Sequence, residues 1–445
     1  MNTSASSSFD CAPEIPASLR WWAEARFGMS LHFGLYSVAA RGEWVKSAER
    51  MSNEQYQSYF DRFNPEPGWA DAWARAAAMA GAKYAVLTTK HHDGFCLFDS
   101  ALTDYNATNT PAKRDLVREW VDAVRAEGLR VGLYYSLVDW HHPDVPAHGD
   151  RQHPLRDDPS SVERDKTCVW QRYLDYMHSQ LIELCSNYGT IDSLVVDFSY
   201  GDYKGDKWGA AEIMAKLRAL QPGMVFNDRW DTEARKRIPR PAHAGDYEQT
   251  EQNLPRRCLR DHTGATMPWE GWFTLTNSWS HSVTDDHWKS SAAIIRALVN
   301  CVSKHGNLLL NVSPDARGRL PAKSLDLLRD IGEWLDLNGD SIYGAGGAAL
   351  PRPEWGRWTQ KGDTLYAHIL EPVIGNISLE GLRGRVSNAR LLSCNAEVIL
   401  TDFWNPEVQT FDEPEDIFMN FARPTASTYP LSDPRDTVVA MRFSG

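Results

Sequence analysis

The chain has 445 residues, 42% of them hydrophobic, and carries a formal net charge of -12. That length is enough for more than one domain and a large core, and the apolar content excludes a disordered chain. The acidic balance disfavours nucleic acid and anionic membrane as partners, since both are themselves negative.

The chain opens on a Ser-rich tail with no basic n-region and no apolar h-region, so it does not read as a signal peptide. No stretch is long and apolar enough to span a bilayer. A reducing cytoplasmic compartment is therefore the expectation. Residues 29–33 read as the first strand. Ser52-Asn53-Glu54-Gln55 fits a capping box and predicts a helix start. Residues 69–80 form a second helix with Trp73, Ala76, Ala77 and Ala80 on one face, stopped by Gly81. Strand two covers 84–89. Residues 113–127 are an amphipathic helix, with Leu116, Trp120 and Val124 at four-residue spacing. Strand three, 131–136, follows directly. Residues 141–158, rich in Pro, His and Asp, read as a long loop, and long loops on barrels are often functional.

A helix over 163–185 feeds strand four, where Leu194, Val195 and Val196 form an apolar run ending on Asp197. Such a run suits a strand buried on both faces. A carboxylate at its end is either used chemically or tied up as a helix cap or ion pair. A helix over 208–220, strand five at 224–229 and a weak strand six at 245–248 follow. Strand seven is placed at 273–277, a helix at 286–303, strand eight at 307–312 and a final helix at 324–337. Eight short apolar strands, mostly alternating with helices, predict an α/β fold: a (β/α)8-like, TIM-type barrel. Helices are partly missing beyond strand six, which allows an irregular barrel. The Gly/Ala run at 344–349 reads as a linker. Beyond it, short strands at 364–369, 389–392, 397–400 and 437–441 have no long helix between them and predict a C-terminal all-β sandwich. The expected division is a catalytic barrel over 1–343, with a short disordered tail, and a β-sandwich domain over 350–445.

Polar residues gather where these strands end. Strand one ends in His32, strand two in Lys90-His91-His92-Asp93-Gly94, and strand three carries Tyr134. Strand four delivers Asp197, strand five Asp228-Arg229-Trp230, and strand six Asp246, Glu248 and Glu251. The C-terminal strand ends are where barrel enzymes place their chemistry. Each residue also has a structural reading: His32 as a core histidine, Arg229 as a rim ion-pair partner, Glu248 or Glu251 as a solvated loop charge. Adjacent strand residues face opposite sides, so His91 and His92 reach one site only if the strand bends, which Gly94 permits. Two carboxylates with His, Tyr, Trp and Arg suit glycosidic cleavage: one carboxylate attacks the anomeric carbon, the other protonates the leaving oxygen. The 18 Trp and 16 Tyr fit large aromatic cores or rings that cover sugar faces. Seven scattered cysteines without C-x-x-C spacing supply neither a zinc pattern nor a disulfide framework. A barrel metallohydrolase is disfavoured because strand one lacks His-x-His. No metal and no cofactor is therefore expected.

A resemblance accompanies these residues. Phe27-Gly28-Met29-Ser30-Leu31-His32-Phe33-Gly34-Leu35-Tyr36-Ser37-Val38 with Gly42-Glu43-Trp44 resembles the opening signature of the family 29 glycoside hydrolases, the α-L-fucosidases. So do Lys83-Tyr84-Ala85-Val86-Leu87-Thr88-Thr89-Lys90-His91-His92-Asp93-Gly94-Phe95, Gly132-Leu133-Tyr134-Tyr135-Ser136, Asn227-Asp228-Arg229-Trp230 and Lys304-His305-Gly306-Asn307-Leu308-Leu309-Leu310-Asn311-Val312. The matches run through the whole predicted barrel in family order. The resemblance implies a retaining mechanism with Asp197 as nucleophile. It implies sugar contacts by His32, His91, His92, Glu43, Trp44, Tyr134 and Arg229. Gly245-Asp246-Tyr247-Glu248-Gln249-Thr250-Glu251-Gln252 resembles the family segment that carries the acid/base, which points to Glu251, with Glu248 second. Val195, two residues before Asp197, and Phe33, after His32, depart from the aromatics usual there. Fucose is a 6-deoxy sugar, and Trp279 and Phe33 are the candidates for an apolar patch under its methyl group. The implied partner is a fucosylated oligosaccharide or glycoconjugate, and an oligomer is compatible with the sequence. The alternative reading is a non-catalytic fucose-binding protein on the same scaffold.

Overall fold

The computed structural model describes residues 12–199, 201–374, 377–402, 413–421 and 431–444. The Ser-rich tail lies outside them. Eight parallel strands form one curled sheet: β1 (Phe27–Leu31), β2 (Tyr84–Lys90), β3 (Arg130–Ser136), β4 (Ser193–Asp197), β5 (Val225–Phe226), β6 (Glu248–Glu251), β7 (Trp269–Thr274) and β8 (Gly306–Val312). Their order is β5-β4-β3-β2-β1-β8-β7-β6. Strands β1, β2, β7 and β8 are buried along their whole length, as parallel strands covered on both faces must be. Helices Trp69–Met79, Leu116–Ala126, Ser291–Val302 and Ala322–Asn338 contribute Trp73, Trp120, Leu298 and Trp334 to the surrounding core.

The two ends of the sheet meet at a seam. Between β5 and β6 the described residues form no ladder, only the bridge Asn227↔Tyr247. Strand β5 is two residues long, shorter than the 224–229 expected, because side chains take over its pairing. Asn227 Nδ2 donates to the Val196 carbonyl at 2.8 Å, and the Val196 amide donates to Asn227 Oδ1 at 3.0 Å. Asp246 Oδ2 accepts from the Phe226 amide at 2.8 Å. Gln249 Oε1 accepts from Asn227 Nδ2 at 3.1 Å, and Gln249 Nε2 donates to Glu270 Oε1 at 2.9 Å. An amide side chain offers both a donor and an acceptor and so mimics a peptide unit at the point where the ladder stops.

The capping box at Ser52 is present, with both reciprocal hydrogen bonds, at the start of helix Asn53–Phe60. The single helix expected over 163–185 is two helices, Pro159–Asp165 and Trp170–Asn187. The break is fixed by Asp144, whose Oδ1 accepts from the Val169 amide at 2.7 Å while Arg172 holds the same carboxylate. Strands six and seven are offset from their expected positions, to 248–251 and 269–274. Trp269 and Trp272 belong to the wall, and Glu251 is the last residue of β6 instead of lying on the loop beyond it.

After the barrel come two antiparallel sheets, one five-stranded and one three-stranded. Leu365, Ala367 and Met441 of the larger share a core with Ile377, Leu379 and Met419 of the smaller. Gly346 and Gly347 are not a slack linker: they pair with the strand Gly356–Lys361. A Cβ on Gly346 would stand 2.6 Å from His305 Nδ1, and one on Gly347 2.6 Å from the Ser303 carbonyl. Glycine is needed there for close approach. Asp436 links this part to the barrel helices, accepting from Trp334 Nε1 at 3.1 Å through its carbonyl and meeting His368 Nδ1 at 2.6 Å through Oδ2.

Candidate active site

At the C-terminal ends of the strands lies a cavity of about 180 Å³ lined by His32, Glu43, Trp44, His91, His92, Asp197, Phe198, Arg229, Glu251, Trp272 and Trp279. Of the residues expected from sequence to form the site, Tyr134, Phe33 and Glu248 stand outside this lining, and Tyr134 reaches the cavity through Asp197. Phe33 does not reach it. It packs beneath the wall against Phe63, Trp69 and Trp73. Trp272 escapes the sequence reading because the expected strand seven begins after it, although its place near Trp269 in an apolar run is a signal. Phe198 follows Asp197 but has no signal of its own beyond being aromatic.

Asp197 ends β4 and is held from three sides. Tyr134 donates its hydroxyl to Oδ2 at 2.9 Å, Arg229 Nη1 donates to Oδ1 at 2.7 Å, and the Phe198 amide donates to Oδ1 at 2.8 Å. Phe198 itself adopts φ +87°, a region costly for a side-chain-bearing residue. Burial alone would raise the Asp197 carboxyl. The Arg229 guanidinium, with His92, outweighs it and holds the group at about 2. Arg229 Nη2 also donates to Glu251 Oε2 at 2.6 Å. One guanidinium therefore bridges the two carboxylates, and its own pKa is raised because Asp197 and Glu251 more than offset burial.

The histidine tautomers follow from their partners. Asn311 Nδ2 donates to the Trp279 carbonyl at 2.6 Å, so Oδ1 is the acceptor facing His32 Nδ1 at 2.7 Å. His32 thus carries its proton on Nδ1 and keeps a lone pair on Nε2. Ser136 spends its hydroxyl hydrogen on the Val138 carbonyl, so its oxygen accepts from His92 Nδ1 at 2.6 Å. The free His92 Nε2 stands 3.7 Å from Asp197 Oδ2, too far for a direct hydrogen bond. Burial keeps both rings neutral, at about 4, and pushes His91 well below the ordinary histidine range. His91 and His92 share the cavity because β2 has already ended at Lys90 and both lie on the following turn, with Gly94 at φ +85°. His91 Nδ1 has no hydrogen-bond partner among the described residues.

The aromatic wall is braced by the same groups. Trp272 Nε1 donates to Ser30 Oγ at 2.7 Å, and Ser30 donates to Asn311 Oδ1 at 3.2 Å. Glu43 accepts from the Ser280 amide at 3.1 Å, holding the turn that presents Trp279, and burial raises its carboxyl. Trp44 packs edge-on against His92 and Trp140. Glu248 is elsewhere: buried at the start of β6, paired with Asp228 and 3.2 Å from Arg235, with its carboxyl pushed up to about 8 by burial and by Asp228. Among the described residues, no group of three or more His, Cys, Asp or Glu could hold a metal ion.

A family model described as Alpha-L-fucosidase matches residues 12–340. Among curated proteins, the human tissue alpha-L-fucosidase is 30% identical over 415 residues, covering 84% of this chain and 79% of that protein. The alpha-L-fucosidase of Dictyostelium discoideum is 28% identical and covers 79% of this chain and 77% of that protein. Among solved structures, alpha-L-fucosidase isoenzyme 1 from Paenibacillus thiaminolyticus superposes with a TM-score of 0.91 at 51% identity, covering 96% of this chain and 99% of that one. A family 29 alpha-L-fucosidase from Bacteroides thetaiotaomicron, trapped as a covalent intermediate with 2-fluoro-fucosyl fluoride, superposes with a TM-score of 0.81 at 25% identity, each chain covered to 98%. With a family match across most of its length and such relatives, the chain belongs to the family 29 α-L-fucosidases, which are glycoside hydrolases.

Proposed function

We propose that the protein is a retaining exo-α-L-fucosidase that releases terminal α-L-fucose from fucosylated oligosaccharides or glycoconjugates by double displacement. The observation that carries this reading is the pair Asp197 and Glu251 bridged by Arg229 in a small cavity with aromatic walls. At about 180 Å³ the cavity is smaller than the roughly 300–1,000 Å³ of drug-sized sites, which suits a single sugar. Family membership and the covalent intermediate trapped in the Bacteroides relative agree with it.

In this mechanism Asp197 attacks the anomeric carbon, and the bond to the glycosidic oxygen breaks as Glu251 gives that oxygen a proton. The ester on Asp197 is then opened by water, which loses its proton to Glu251. Arg229, Tyr134 and the Phe198 amide keep Asp197 ionised and aimed. The lone pairs of His32 Nε2 and His92 Nε2 accept from sugar hydroxyls, one of which would fill the 3.7 Å gap between His92 and Asp197. Trp272 and Trp279 cover apolar sugar surface.

The test is hydrolysis of an aryl α-L-fucoside followed by NMR. α-L-fucose should be the first anomer formed, and Asp197→Ala should lose several orders of magnitude in turnover. Wild-type turnover in Asp197→Ala, or β-L-fucose as first product, would overturn the assignment. Fucose binding measured by calorimetry without hydrolysis of any fucoside would favour a binding protein instead.

A further inference from the structure

A second cavity, of about 520 Å³, lies between the barrel and the antiparallel sheets. Its lining includes Arg256, Arg257, Arg260, Lys304, Arg352 and Arg357 and no acidic residue. Lys304 stands two residues before β8 begins, so this cavity opens at the N-terminal mouth of the barrel. The catalytic cavity is at the other mouth, about 20 Å away along the strands.

Six cations around one cavity are unexpected in a chain with 59 acidic residues against 47 basic ones. Elsewhere this chain pairs its arginines: Arg41 with Glu49, Arg114 with Glu119, Arg172 with Asp144, Arg319 with Glu66. Here, Arg256, Arg257, Lys304, Arg352 and Arg357 have no ion pair among the described residues. Two of them are partly withdrawn from water. Burial lowers the Arg357 guanidinium to about 10, with Arg352 adding to the effect and Glu371 opposing it. Burial lowers the Lys304 ammonium to about 8, and Arg357 and Arg352 act in the same direction. Holding like charges together in this way is unfavourable until a counter-charge enters. Guanidinium forks recognise tetrahedral oxyanions through paired, charge-assisted hydrogen bonds. The volume exceeds what one ion fills.

We propose that this cavity is a binding site for a ligand carrying two or more sulfate or phosphate groups. It is independent of the fucoside reading, because its readout is binding. The experiment is calorimetry on the full chain at low ionic strength with inorganic phosphate, pyrophosphate and a disulfated disaccharide. Pyrophosphate or the disaccharide should bind saturably at about one site per chain, more weakly as salt rises. Inorganic phosphate should bind less tightly than either. Tighter binding of the disaccharide assigns the oxyanions to esters on a saccharide, and tighter binding of pyrophosphate to a free polyanion. Lys304→Gln and Arg357→Gln should each weaken binding at least tenfold, the loss of one charge-assisted bond, with aryl fucoside turnover unchanged. Arg256→Gln with Arg352→Gln, both exposed, covers the case in which the half-buried variants fail to fold. Arg62→Gln with Arg75→Gln, exposed and outside this cavity, should bind as wild type. Absence of saturable binding of every probe, or equal weakening by the Arg62/Arg75 pair, would overturn the proposal.

Discussion

Arg229→Met tests the electrostatic logic of the site, because it removes the charge and keeps an apolar stem of similar reach. In the wild type the Asp197 carboxyl sits at about 2 against an ordinary 3.8, although burial pushes it the other way. That gap corresponds to about 2 kcal/mol in favour of the charged form. Arg229 is the largest influence opposing burial, so without it the carboxyl should rise, still served by Tyr134 and the Phe198 amide. The assay is kcat/KM for an aryl α-L-fucoside against pH, which reports ionisations of the free enzyme. The variant should show an acid limb displaced upward from the wild type's, on top of a general loss of rate. Stability gives a second readout with a definite sign. In the wild type the depressed carboxyl stabilises the fold above about 3.8, and that contribution is lost as pH falls toward 2. In the variant that contribution shrinks, so Tm should fall less on acidification than in the wild type. A variant whose acid limb superimposes on that of the wild type would refute the argument that Arg229 sets the ionisation of Asp197.

Glu251→Ala should hydrolyse substrates with poor leaving groups worst, and azide should restore turnover on an activated aryl fucoside as α-fucosyl azide, the retained anomer, identified by NMR. Glu248→Ala should show no such rescue, and rescue of that variant alone would exchange the two roles. Glu248 carries its own prediction. Its carboxyl sits near 8 when folded and near 4.5 when unfolded, so the native state loses stability as pH rises between those values. Glu248→Gln mimics the protonated group and should show a flatter fall of Tm from about pH 5 to pH 8 in calorimetry, with an unchanged slope arguing that the group is ionised in the fold.

The barrel is legible because its strands are continuous apolar runs, and a carboxylate such as Asp197 at the end of one stands out against them. The runs that mislead are those where side chains do backbone work. Asn227 reads as a strand residue, yet it ends β5 by pairing sideways with Val196. The true β6, Glu248-Gln249-Thr250-Glu251, is too polar to signal a strand, because its side chains face Asp228, Glu270 and Arg229 instead of an apolar wall. Phe33 is legible as apolar and adjacent to His32, but it lies past the end of β1, where its ring turns to the helices. The bridging role of Arg229 has no local signature, since its two partners lie 32 and 22 residues away in sequence, on different strands.

That bridge stands over the seam. Asp197 belongs to β4, one strand inside the seam, and Glu251 to β6, on its far side, while Arg229 follows β5 between them. Among the described residues no strand ladder fixes the spacing across this join, so side-chain contacts, the Arg229 bridge among them, hold the two carboxylates apart. Lengthening β5 to stiffen the barrel would move the proposed catalytic pair relative to one another. In this protein the part of the wall without a strand ladder and the proposed reaction coordinate coincide.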